Sequence, residues 1–100
     1  MTDGIIASTG NVFEDVGFTR EEAENLKVRS ALMGKLRSII EEEGLTQARA
    51  AELYGVTQPR VSDLVRGKIE LFSIDALVNM LGSAGRTVKV SVHSAPNEAA

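Results

Sequence analysis

The sequence predicts an all-α fold, a bundle of four to five helices closed by one β-strand near the C-terminus. Three observations predict it. Apolar residues recur at three- and four-residue spacing over most of residues 19–85. The segments that carry this period begin at Thr19, Thr46, Thr57 and Ser73, hydroxyl residues suited to capping a helix, and each runs to a glycine. Aromatics are only 4% of a chain that is 43% hydrophobic, so the core must be built from Leu, Val, Ile and Ala, which suits packed helices.

Residues 1–10 place Gly4, Ser8, Thr9 and Gly10 around the pair Ile5-Ile6 and read as a flexible tail. Residues 11–18 concentrate Val12, Phe13, Val16 and Phe18 in an apolar arm. The arm is expected to pack on the domain, with docking onto a partner as the alternative. Thr19-Arg-Glu-Glu22 has capping-box spacing. In the helix behind it, Ala23, Leu26, Met33, Leu36 and Ile40 share a side, widened by Leu32 and Ile39. Gly34 marks close packing or a break. Glu41-Glu-Glu43 places carboxylates at the negative end of the helix dipole, before Gly44.

A second helix is predicted from Thr46 through Tyr54, closed by Gly55. A third begins at Thr57, with Pro59 in the first turn, where its missing N–H does no harm, and closes at Gly67. Ser73 caps a fourth, whose Ile74, Leu77, Val78 and Leu81 share a face and whose end lies at Gly82 to Gly85. Residues 86–93 read as a half-buried strand, with Val88, Val90 and Val92 alternating with Lys89, Ser91 and His93. Residues 94–100 form a polar, flexible tail.

Composition excludes several functions. One hundred residues suffice for one core. Without cysteine there is neither a disulfide nor a thiolate metal site. Asp3 and the lack of a long apolar run near it argue against a cleaved signal, and no stretch approaches the roughly 20 apolar residues of a membrane span, so a cytoplasmic protein is expected. The single histidine, His93, lies on the strand near the tail with no nucleophile paired to it, so no catalytic, cofactor or metal site is expected. Net charge is −3, but unevenly spread. Residues 1–25 set one arginine against six carboxylates, net −5, while residues 45–68 set four cations against two carboxylates, net +2.

The basic stretch contains a constrained arrangement. Ala51, four residues before Gly55, lets two helix axes approach closely, and Gly55 can take the positive φ of a tight turn. Val56, Val61 and Leu64 supply the apolar side of the third helix, leaving Gln58, Arg60, Ser62 and Asp63 pointing outward. A helix start rich in Thr, Gln and Arg is what base edges and phosphates require.

The run Leu45–Lys68 resembles the helix-turn-helix of the Cro and phage-repressor superfamily, the XRE family, with Gln47, Ala51, Gly55 and Val61 at the motif's spacing. Asn11–Phe18 and Glu22–Lys27 further resemble a compact subgroup that includes HigA-like antitoxins. The resemblance implies a lambda-repressor-like DNA-binding domain over residues 19–85, its motif at 46–67, acting as a repressor on duplex DNA. It implies base contacts from Thr57, Gln58, Pro59, Ser62 and Asp63, and phosphate contacts from Gln47, Arg60, Arg66 and Lys68. Gln58 matches the two-bond pattern of adenine, and Asp63 can accept from a cytosine amino group. Gln47 is also placed to brace Gln58. Pro59 departs from the polar residue that many relatives carry, leaving a thymine methyl as its natural contact.

A lone strand cannot satisfy its own edges. Residues 86–93 therefore pair with Ile5-Ile6, with another protein, or with a second copy. The expected arrangement is a homodimer whose Val88, Val90 and Val92 build a shared sheet, setting two recognition helices about 34 Å apart on a palindromic operator. The alternative function implied by the resemblance is that of an antitoxin. It would neutralise a small basic toxin, typically a ribonuclease, through the acidic residues 14–24 while regulating its own operon.

Overall fold

The structure, a computed structural model, describes residues 17–95. The tail 1–10, most of the apolar arm and residues 96–100 lie outside them. Four α-helices follow in order: α1 (Arg20–Glu43), α2 (Gln47–Tyr54), α3 (Gln58–Val65) and α4 (Ile74–Ser83), with a 3-10 turn at Ile69–Leu71 between α3 and α4. The compact helical body is Val28–Val88. Of the described residues, 17–27 and 89–95 belong to a second unit.

Each helix starts where a side chain can satisfy its unpaired N–H groups. At α1, Thr19 N–H donates to Glu22 Oε1 (2.9 Å) and Glu22 N–H donates to Thr19 Oγ1 (3.1 Å), the reciprocal pair that the spacing predicts. Thr46, Thr57 and Ser73 accept from Arg49 N–H, Arg60 N–H and Ala76 N–H respectively. At the carboxylate-rich end of α1, Arg86 Nη2 lies 3.0 Å from Glu43 Oε2, bringing a cation to the negative pole of the helix.

The core takes Met33, Leu36 and Ile39 from α1, Tyr54 from α2, Leu64 from α3 and Phe72 from behind the 3-10 turn, together with Leu77, Met80, Leu81 and Ala84. A second cluster, Ala50, Ala51 and Val61, joins α2 to α3. Two faces are rotated from the sequence reading. Ile39 is buried and Ile40 only half-buried; in α4, Met80 turns inward while Val78 is exposed. The inward set 77, 80, 81 and 84 follows the helical period as well as the predicted set does, so spacing alone does not choose between them. Gly34 neither breaks α1 nor packs closely, since a Cβ there would meet nothing within 4 Å.

The predicted strand does not form. Residues 86–95 carry no regular structure; Val88 packs against the core, whereas Val90 and Val92 are 81% and 88% exposed. Alternation marks a segment with two unlike faces, but a strand also needs a neighbour for its N–H and C=O groups, and none is paired with it among the described residues. The regular structure of the described residues is helical throughout.

Tyr54 is the buried polar anchor of the body. Its hydroxyl donates to Leu36 O at 2.6 Å, and burial pushes its pKa up to about 12. The neutral phenol is thus favoured by folding. Its contribution is complete below pH 10, the ordinary phenol value, and is lost as pH rises through about 12. Urea unfolding is expected to show a fall of about 2–3 kcal/mol across this window, which Tyr54→Phe removes. At pH 7 the same variant should lose about 1 kcal/mol through the missing hydrogen bond.

Candidate nucleic-acid interface

Two short helices packed on each other at a tight turn hold the site. Gly55 closes α2 at φ 69° and ψ 34°, and its N–H donates to Ala51 O and Glu52 O. The left-handed conformation redirects the chain into α3, and a Cβ at this position would lie 3.3 Å from Ser83 Oγ. Ser83 Oγ itself donates to Leu53 O at 2.8 Å, tying α4 to the end of α2. The space beside the turn is therefore already filled.

Within α3, Val61 and Leu64 are fully buried. Gln58, Pro59, Ser62 and Asp63 fall on the opposite side of the helix at 100° per residue. Thr57, Gln58 and Pro59 are exposed, and Ser62 and Asp63 are half-buried one turn along. The burial of one side thus leaves the expected base-reading set as a stripe on the other. Thr57 Oγ1 accepts from Arg60 N–H at 3.4 Å as the helix cap, which leaves its O–H free to donate. Gln47 is exposed in the first turn of α2. No hydrogen bond joins it to Gln58, so the expected brace is not made.

The cations differ in their engagement. Arg66 is exposed, and its side chain makes no hydrogen bond or ion pair. Lys68 Nζ stands 4.0 Å from Asp63 Oδ1, a loose pairing. Arg60 points back into the protein: its Nη1 donates to Leu71 O at 2.9 Å, and its guanidinium carbon lies 4.0 Å from the centre of the Phe72 ring. Arg37 of α1 was missed by the sequence reading. Its Nη1 comes within 3.7 Å of the place a Cβ on Gly67 would occupy, between Arg66 and Lys68, and it too has no bonded partner. Only tertiary packing brings a residue 30 positions upstream to this turn. No helix of the described residues is long and apolar enough to cross a membrane.

Two helices at this turn, the second with a buried side and an exposed polar stripe, define a helix-turn-helix, a fold built to present one helix to duplex DNA. Residues 12–93 match a family described as a helix-turn-helix domain. A solved chain assigned as an XRE family transcriptional regulator superposes with a TM-score of 0.68 at 31% identity, covering 77% of this chain and 86% of that one. An uncharacterised HTH-type transcriptional regulator of Haemophilus influenzae is 27% identical over 85 residues, which is 85% of this chain and 86% of the relative. The chain belongs to the XRE-type helix-turn-helix family.

Proposed function

We propose that the protein is a sequence-specific regulator of transcription, a cytoplasmic repressor that binds a palindromic operator as a homodimer. The observation that carries this reading is the polar stripe of exposed Gln58 and Pro59 and half-buried Ser62 and Asp63, on a helix whose other side is locked by Val61 and Leu64. The regulator assignments of its relatives support it. Thr57, Gln58, Ser62 and Asp63 read base edges, and Pro59 meets a thymine methyl. Gln47, Arg66 and Lys68 hold the phosphate backbone, with Arg37 beside them. The net charge of −3 gives little general attraction to DNA, so affinity depends on two copies binding together. Val90 and Val92 are the apolar groups available to a second copy, which would supply the pairing that the segment lacks on its own.

The antitoxin role is the second reading. It is favoured by the front of the chain, where residues 1–25 carry net charge −5 and suit a small basic protein partner. A neighbouring gene for such a protein, and co-purification of the two products, distinguish it from a solitary repressor.

Anisotropy titrations with a duplex selected by the native protein, and with a scrambled duplex, test the main reading. Gln58→Ala is expected to cost about 1–3 kcal/mol on the selected duplex and to relax its sequence preference. Arg66→Ala should weaken both duplexes alike and lower the slope of log affinity against log salt by about 1. Native protein that binds both duplexes equally would refute sequence-specific recognition.

A further inference from the structure

We propose that Arg60 is a positioning residue, one of two arginines that clamp the 3-10 turn behind the recognition helix, and that it sets DNA specificity without gripping DNA. This rests on the DNA-binding reading above. Three carbonyls at the turn, Ile69 O, Leu71 O and Phe72 O, receive guanidinium N–H groups from two different helices. Arg29 Nη1 of α1 donates to Ile69 O at 3.1 Å and to Phe72 O at 3.5 Å. Arg60 Nη1 of α3 donates to Leu71 O at 2.9 Å. The Arg60 guanidinium also lies 4.0 Å from the centre of the Phe72 ring, whose residue is 1% exposed and so cannot move aside.

Arg60 leaves the first turn of α3, next to Gln58 and Pro59, and its own N–H is capped by Thr57. The clamp therefore fixes the end of the helix that carries the base-reading residues. It joins that end to a turn which Arg29 holds from α1. An extended planar cation suits the site, because one group lies over a ring and reaches a carbonyl together; a compact lysine ammonium lacks that plane.

Arg60→Ala, Arg60→Lys and Arg66→Ala are compared with the native protein on a selected and a scrambled duplex across a KCl series, at a temperature where circular dichroism shows all four folded. Arg60→Ala and Arg60→Lys are each expected to weaken the selected duplex about tenfold, the scale of one lost charged hydrogen bond, with the scrambled duplex and the salt slope unchanged. Arg66→Ala should weaken both duplexes and lower the slope by about 0.9. Rescue by lysine, or a slope lowered as in Arg66→Ala, would make Arg60 a phosphate contact and overturn the proposal. Native affinity and preference in folded Arg60→Ala would overturn it as well. Amide exchange without DNA tests the clamp separately: Leu71 and Phe72 N–H should exchange several-fold faster in both Arg60 variants, and unchanged exchange contradicts it. A native protein that binds neither duplex would defeat the functional reading, and exchange would then decide the clamp.

Discussion

Phe72→Ala is expected to lower the unfolding free energy by about 3–5 kcal/mol, the largest single effect in the helical body. Phe72 is 1% exposed and belongs to the core cluster that takes Leu36, Ile39, Tyr54, Leu64 and Leu77 from the four helices, so its removal empties volume inside that core. It is also the ring under Arg60. Its removal leaves a cavity beside a guanidinium whose remaining bond is to Leu71 O. Domains of this size are stable by roughly 5–15 kcal/mol, so the variant should be marginal at 37 °C. The neighbouring Leu71, 45% exposed, serves as the control, and Leu71→Ala should fall within about 0.5 kcal/mol of native. Urea unfolding checks the pair, and a loss below about 1 kcal/mol for Phe72→Ala would show that its ring does not fill the core.

The double variant Val90→Asp, Val92→Asp is expected to separate the proposed dimer and to lower operator affinity about 100-fold or more, because the second half-site is then no longer bound intramolecularly. Both side chains are more than four-fifths exposed, so the folding of the helical body should be unaffected by the change. In a shared two-fold sheet the new carboxylates would stand near their symmetry mates, and like charges across a strand pair destabilise it. Sedimentation equilibrium is the direct readout. Variant protein that remains dimeric would move the interface away from this segment.

The helices were legible because their ends and their faces are both written locally. The Thr19/Glu22 capping box, the hydroxyl caps at Thr46, Thr57 and Ser73, and the positive φ at Gly55 all follow from residues within one turn. So did the polar stripe of α3, since burying Val61 and Leu64 dictates what remains outside. What escaped the sequence depends on tertiary contacts. The inward turn of Met80 in place of Val78, the burial of Phe72 and the arrival of Arg37 at Gly67 are decided by how helices cross. Arg60 looked like an outward cation because its period puts it beside the stripe; the carbonyl and the aromatic that claim it lie 11 and 12 residues away, at Leu71 and Phe72. The valine segment failed for a different reason. Its alternation is real, but pairing is a property of two segments, and alternation in one does not decide which of the possible partners supplies the other.

The central claim is tested most directly by selection of a random-sequence duplex library with the native protein. An enriched palindrome is expected, its half-sites centred about 10–10.5 base pairs apart or a multiple of that, with Gln58→Ala losing the preference at one position in each half. Failure to retain any duplex at low salt, or retention with no enriched sequence, would contradict it.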